Sequence, residues 1–206
     1  MADPAYIVDG VLSVTESWVA VAPTTTVPLT GATSLIVFES TDDGQVGDFS
    51  QYMDLVILWY GKSTRASGSA TDSFQVELND ESSNNWRTQN LNGDGANDSA
   101  AGGTLEGRWV AGMVPTSDTS GGVAAEVYGC CVIHLFDINS GKYKTGVSLH
   151  ASDADGQGNV GITTSTWAKT EAIDKVEIMM GSTQAAGTTA SMFGILPSML
   201  TTGTLP

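Results

Sequence analysis

Short apolar segments, separated by clusters of Gly, Ser, Thr, Asn and Asp, run along almost the whole chain. The clearest of them places Phe74, Val76 and Leu78 in alternation with Gln75 and Glu77. A period of two puts the apolar side chains on one face of a β-strand. Further strands are predicted at residues 11–14, 18–21, 86–91, 108–114, 125–136, 143–149, 160–164, 176–180 and 192–196. Strands at this spacing predict an antiparallel β-sandwich.

Two segments, residues 34–38 and 55–60, are apolar at successive positions, which predicts central strands covered on both faces. The polar sequence at residues 138–142 predicts a hairpin turn between two strands. No window shows helical periodicity over ten residues, and a single helical turn is predicted near residues 48–53. The pattern therefore predicts an all-β chain of ten or eleven strands.

Residues 92–107 and 116–122 are predicted to form long loops, which in compact β domains often contact partners. Residues 1–29 contain three prolines and a run of threonines. They are predicted to form either an arm that packs on a neighbouring subunit or a first pair of edge strands. Residues 30–206 are predicted to form a single β-sandwich domain.

The chain has 206 residues and a formal charge of −15, from 8 Lys and Arg against 23 Asp and Glu. This acidic balance opposes binding to the phosphate backbone of nucleic acids and to anionic membrane surfaces. No apolar run approaches the ~20 residues that span a bilayer. The first residues lack the basic and apolar regions of a secretory signal. We therefore expect neither a nucleic acid nor a membrane as partner.

The residues that usually carry catalysis or bind metals are few. Cys130 and Cys131 are adjacent in an apolar segment, which predicts buried, reduced thiols in a strand. His134 and His150 lie in strand patterns with no nucleophile motif nearby, so half-buried structural histidines are expected. These four residues do not have the spacing of a zinc site. No catalytic residue and no resident cofactor are predicted.

Calcium is the one ion for which the sequence offers a candidate site. Asp153, Asp155, Gln157 and Asn159 place oxygen donors at alternate positions, with a Gly in the sixth place. The twelfth position is not Glu, which excludes an EF-hand. The alternative interpretation, and the commoner one, is a solvated Asp/Gly turn. A second, weaker candidate of the same kind lies at residues 92–95.

Tryptophan could serve the sandwich core, a protein interface or a sugar-stacking platform. The chain contains Trp18, Trp59, Trp86, Trp109 and Trp167. Trp86 is the most notable because it follows a run of four polar residues and precedes an Arg. Core or interface packing is the favoured interpretation for it.

Several stretches together resemble one family. They are residues 48–57 and 61–63, residues 78–80, 84–86 and 91–95, residues 134–144, and the closing segments around 167, 173, 176–178 and 192–197. Over residues 30–200 the chain resembles the small β-sandwich virion structural proteins of tailed bacteriophages, including those infecting cyanobacteria. The resemblance implies a jelly-roll or lectin-like sandwich without catalytic residues, located in the virion.

The resemblance also implies a function. We expect a capsid decoration or cement protein on the outside of the head, in contact with the major capsid protein and other virion proteins. A homo-oligomer is expected, with a trimer favoured. The low content of Lys and Arg suits an outer surface better than contact with packaged DNA. The residues expected at interfaces are Tyr6, Ile7 and Val8 of the arm, Asn92 and Asp94 of the loop over residues 92–103, and Trp86.

Two other functions stay open at this point. The first is a neck, tail or tail-fibre component that binds host glycan, which an exposed groove lined by Trp86 or Trp109 would favour. The second is a glycan-degrading depolymerase, which requires two carboxylates at hydrolase spacing in a cleft. No spacing among the 23 acidic residues singles out such a pair.

Overall fold

The computed structural model describes residues 7–8, 11–12, 18–21, 28–66, 68–119, 123–153 and 158–196. No helix in these ranges is long and apolar enough to cross a membrane. The described residues form one 3₁₀ turn, Phe49–Gln51, and fourteen strands: β1 (Ile7–Val8), β2 (Val11–Leu12), β3 (Trp18–Ala20), β4 (Thr33–Glu39), β5 (Asp54–Gly61), β6 (Thr71–Leu78), β7 (Trp86–Gly93), β8 (Asp98–Glu106), β9 (Trp109–Pro115), β10 (Gly129–Phe136), β11 (Lys144–Ser152), β12 (Asn159–Trp167), β13 (Lys175–Gln184) and β14 (Thr189–Ile195).

The strands form two large antiparallel layers. The eight-stranded sheet has the order β3-β14-β5-β10-β11-β12-β7-β8, and the four-stranded sheet has the order β4-β13-β6-β9. Strands β1 and β2 pair separately as a small hairpin. One continuous hydrophobic core joins the inner faces of the two layers. The prediction of an all-β antiparallel sandwich is confirmed.

The two-residue alternation determines which side chains enter that core. On β5, Leu55, Ile57 and Trp59 point inward and are at most 2% exposed, whereas Leu58 and Tyr60 point outward and are about half exposed. The opposing sheet contributes the inward residues of β6, which are fully buried. The core is therefore assembled from the same alternating positions that the sequence marks as strands.

Three tryptophans fill the core between β7, β9 and β12. The ring of Trp86 stacks on those of Trp109 and Trp167 with centroid distances of 6.2 Å in both pairs. Trp109 Nε1 donates a hydrogen bond to Thr163 Oγ1 at 3.1 Å. Gly146 of β11 faces the indole of Trp109, and a Cβ there would lie only 2.6 Å from the ring. The absence of a side chain at Gly146 thus makes room for Trp109.

Two local predictions are confirmed. The 3₁₀ turn Phe49–Gln51 begins at Asp48, whose side chain accepts the backbone N–H of Ser50. Residues 138–142 connect β10 to β11 as a hairpin. Asn139 of this hairpin donates through Nδ2 to the carbonyl oxygens of Phe49 at 3.0 Å and Tyr52 at 2.8 Å. The two turns therefore brace each other at one end of the sandwich.

Two predictions about individual strands are wrong. Strand β4 was expected to be central but lies at the edge of the four-stranded sheet, with Val37 40% exposed. Residues 92–107 were expected to be a loop, whereas residues 98–106 form β8, which pairs with β7 in a hairpin. The sequence of β8 is rich in Ala, Gly and Ser, so it carries no apolar alternation that could mark it as a strand.

Part of the N-terminal segment belongs to the large sheet. Strand β3 pairs with β14, placing Ala20 opposite Phe193. Val21, which follows β3, is 3% exposed and lies in the core. Ile7 and Val8 form β1, and Tyr6 lies outside the described residues.

We expect Gly146→Ala to destabilise the fold by about 1–3 kcal/mol, because a methyl group at this position overpacks against Trp109. Gly141→Ala, in the hairpin that precedes β11, is the matched control. A Cβ at Gly141 meets no atom within 4 Å, so this change should leave the free energy of unfolding nearly unchanged. Urea unfolding of both variants measures the difference, and equal stabilities would contradict the packing described here.

Candidate functional site

The tryptophans that could have formed a contact surface lie inside the protein. Trp86 is 1% exposed and Trp109 is fully buried. Strand β7 directs Trp86 inward, directly opposite Trp167 of β12. The prediction that Trp86 contacts a partner is wrong, and the alternative of core packing is confirmed. Neither ring is available to stack on a sugar.

Asn92 and Asp94 lie at the end of β7 and in the β7–β8 turn. Asn92 is half-buried and Asp94 is exposed. The Asp94 carboxylate accepts the backbone N–H groups of Ala96 at 2.9 Å and Asn97 at 2.6 Å. These hydrogen bonds lower the pKa of Asp94. Asp94 thus stabilises its own turn, and its contact with a partner stays a prediction.

The proposed calcium ligands are only partly described. Asp155 and Gln157 lie outside the described residues. Asn159 Oδ1 accepts a hydrogen bond from His150 Nε2 at 2.9 Å, so this oxygen already has a partner. A surface cleft lined by Asp94 and Asn159 brings the two candidate calcium stretches to the same end of the large sheet. No group of three or more His, Cys, Asp or Glu side chains suited to a metal ion occurs in the described ranges.

Both histidines make structural contacts. His134 Nε2 donates to Asp54 Oδ2 at 2.9 Å, and its ring stacks on Phe136 with centroids 3.8 Å apart. His150 is 2% exposed between Gly112 and Gly161, and burial lowers its pKa, although the hydrogen bond to Asn159 acts in the opposite direction. The expectation of structural strand histidines is confirmed, with His150 more deeply buried than expected.

The two cysteines occupy opposite faces of β10. Cys131 is 1% exposed, and its Sγ lies 3.1 Å from Ser148 Oγ. Burial raises the pKa of the Cys131 thiol to about 12. Cys130 is exposed on the outer face of the large sheet. Both thiols are free, as predicted, but the prediction that both are buried is wrong because adjacent strand residues point to opposite faces.

An acidic cleft lies at one end of the four-stranded sheet. Glu39, Asp42, Asp80 and Asp174 line it, together with Lys175. Lys175 Nζ lies 2.6 Å from Asp80 Oδ1 and also pairs with a carboxylate on its own strand. The cleft therefore contains one cation that neutralises part of its charge. Its carboxylates are surface groups of β4, β13 and the adjoining turns.

A row of apolar residues crosses the outer face of the large sheet. On the outer face of the large sheet, five residues lie directly opposite one another across five neighbouring strands. This middle row consists of Leu58, Val132, Leu149, Ile162 and Leu91, each 39–55% exposed. At its two ends the row continues into Ser191 of β14 and Ala100 of β8.

Two further rows flank the middle row on the same five strands. One row is Tyr60, Cys130, Ala151, Val160 and Gly93, and the other is Val56, His134, Val147, Thr164 and Gln89. We call these fifteen residues the outer patch. None of them is Asp, Glu, Lys or Arg. All of them except Val56, which is 1% exposed, are at least partly exposed, and most are apolar. Contiguous, mostly apolar surface of this kind marks an interaction site.

Sequence reasoning missed the outer patch, although part of the signal was present. Residues 55–60 are apolar on both faces, and so are residues 130–136 apart from His134. Residues 55–60 were interpreted as a strand covered by protein on each side. In the structure only their inner face is covered by the second sheet, and the outer face is the patch.

We expect iodoacetamide at about pH 8 to label the native protein once, at Cys130, because burial keeps the Cys131 thiol protonated and inaccessible. Intact-mass spectrometry counts the adducts. Cys130→Ser should abolish labelling of the folded protein, and unfolding in urea should expose the second thiol. Two adducts on the native wild-type chain would contradict the burial of Cys131.

We expect Asp174→Asn to raise the melting temperature at pH 7. Burial, with contributions from Asp42, Glu171 and Asp48, raises the pKa of Asp174, so its ionisation at neutral pH opposes folding. The increase in the free energy of unfolding should be less than ~1 kcal/mol because Asp174 is largely exposed. It should vanish near pH 3, where the native carboxyl group is protonated as well. Thermal unfolding at both pH values provides the measurement.

Asp48→Asn is the matched control and should act in the opposite direction. Burial raises the pKa of Asp48, but hydrogen bonds from Ser50 and Gly44 outweigh it, so the pKa is lowered overall. An amide cannot accept both N–H groups, which should cost about 1–2 kcal/mol at pH 7. The loss should fade as the pH falls through the lowered folded-state pKa. A shift of both variants in the same direction would refute this electrostatic account.

The chain was also compared with proteins of known family, function or structure. No protein-family model, no curated protein and no solved structure matches it. The function therefore rests on the residues and their arrangement, in particular on the outer patch.

Proposed function

We propose that this protein is a non-enzymatic structural subunit of a bacteriophage particle, and that it decorates or cements the outer surface of the head. The observation that carries the proposal is the outer patch. A patch that spans five strands and contains no charged residue is favourable when it is covered by protein, because its burial removes apolar surface from water. In an assembled particle, contacts with neighbouring subunits would bury such a patch.

The distribution of charge fits this role. The formal charge of −15 opposes contact with packaged DNA and favours a position on the outside of a particle. Within the four-stranded sheet, the layer opposite the patch, Glu39 is exposed, whereas Asp72, Glu77 and Glu177 are at most 6% exposed. Glu77 and Glu177 pair with Arg108 and Lys175. The uncharged patch is therefore the side suited to assembly.

The two histidines, which a Ser-His-Asp type of catalysis would need, serve structural roles. His134 pairs with Asp54, and His150 pairs with Asn159 inside the sandwich. Trp86 and Trp109, which would have favoured a glycan-binding tail component if exposed, are core residues. These observations support an assembly function over a glycan-binding site at Trp86 or Trp109.

The first test is the copy number of this protein in purified particles, measured by quantitative mass spectrometry against the major capsid protein. We expect a ratio near that of the shell protein, because a decoration or cement protein repeats over the lattice. An abundant host protein quantified in the same sample is the control for contamination. Copurification at the level of that host protein would refute the virion assignment.

The same measurement distinguishes the position on the particle. A ratio of a few hundredths would contradict decoration and place the protein in the neck, tail or fibres. In that case binding to host glycan becomes the function to test. The copy number therefore separates the proposal from its nearest alternative in a single experiment.

A further inference from the structure

We infer that the outer patch binds the outer patch of a second copy of this chain, so that two large sheets pack face to face. The inference rests on the proposed function, in which this patch is an assembly surface, and names the partner. It departs from the trimer expected from the sequence. A patch that pairs with itself around a two-fold axis closes as a dimer.

The size of the patch suits such a pair. Strands lie ~4.8 Å apart, and side chains on one face of a strand repeat every ~6.8 Å. The patch covers five strands and is three rows deep. It therefore measures about 24 by 20 Å, or ~490 Å², so a pair buries about 1,000 Å² in total, the size of a weak but specific interface.

The shape of the patch also favours an identical partner. The exposed side chains of Leu58, Leu149 and Ile162 lie along the middle row, and the flanking rows also carry exposed side chains, among them Tyr60 and Val160. The side chains of two sheets interdigitate when their rows have the same spacing. A second copy of this chain has the same rows and therefore the same spacing. Branched aliphatic side chains on both faces would then fill the space between them.

The distribution of charge is compatible with this face-to-face arrangement. The fifteen patch residues include no Asp, Glu, Lys or Arg, so no carboxylate is buried without a partner. In a face-to-face pair the two four-stranded sheets form the outermost layers, about 30 Å apart at ~10 Å per layer. This separation exceeds the Debye length of ~8 Å at physiological ionic strength. At low ionic strength the Debye length lengthens toward ~30 Å and part of this repulsion returns, so raising the salt from a low concentration should strengthen the dimer.

Sedimentation velocity tests the inference with a pair of variants. Leu149→Lys places a cation at the centre of the patch, and Val37→Lys places one on the opposite sheet, where Val37 is 40% exposed and lies across from Glu177. Both changes reduce the net charge of −15 by one unit, so a difference between them cannot come from general repulsion. Near-UV circular dichroism confirms that each variant folds.

We expect the wild type and Val37→Lys to be dimeric at about 100 μM and Leu149→Lys to associate at least ~10-fold more weakly. Raising NaCl from about 50 to about 500 mM should tighten the wild-type dimer. A monomeric wild type at this concentration would overturn the inference. Equal association of the two variants, or a trimer unaffected by Leu149→Lys, would overturn it as well.

Cys130 provides an independent probe, because it lies within the patch whereas Cys131 does not react. Its alkylation should slow at least ~3-fold in the wild type between dilute and ~100 μM protein, and Leu149→Lys should restore the rapid rate. A rate independent of concentration would contradict self-association.

The failure of this inference can be told apart from failure of the proposed function. Suppose that the isolated protein stays monomeric, while its copy number in particles is high and Cys130 is protected there. The patch then binds another virion protein, which overturns the second copy as partner and leaves the decoration role intact. If instead the protein is absent from particles but forms a dimer in solution, the proposed function fails and the self-association of the patch stands.

Discussion

Covering the inner face of an eight-stranded sheet with only four strands is the constraint on which the rest of this structure depends. The smaller sheet alone cannot fill the space beneath β7 and β12, and the stacked indoles of Trp86, Trp109 and Trp167 do so. Trp109 comes from β9 of the smaller sheet and fits against Gly146 of the larger one. The two layers are thereby fixed in one position relative to each other, and the opposite face of the large sheet stays open.

The layers of the sandwich could be predicted from the sequence because each inward position is apolar. The alternation of Phe74, Val76 and Leu78 marks an inner face, and all three are fully buried. Strand β8 could not be predicted, since Ala, Gly and Ser pair through their backbone without contributing apolar side chains. The edge position of β4 could not be predicted either, because pairing partners depend on tertiary arrangement.

The candidate sites were less predictable than the fold. An apolar residue such as Leu149 looks the same in sequence whether it is covered by its own chain or by another one. Conversely, Trp86 was placed among contact residues because polar neighbours precede it, yet those neighbours belong to the turn before β7. The calcium ligands and the jelly-roll connection stay predictions. Burial is a property of the assembled layers, so it cannot be deduced from local composition.

The order of strand pairing has a consequence for how this chain is made. Strand β5, an apolar strand at the centre of the large sheet, pairs with β10 and β14, and β4 pairs with β13. These partners emerge from the ribosome long after β4 and β5. Neither sheet can close during most of synthesis, so the early apolar strands wait without their partners. Closure of both sheets therefore waits for the synthesis of β13 and β14, and the early strands stay exposed until then.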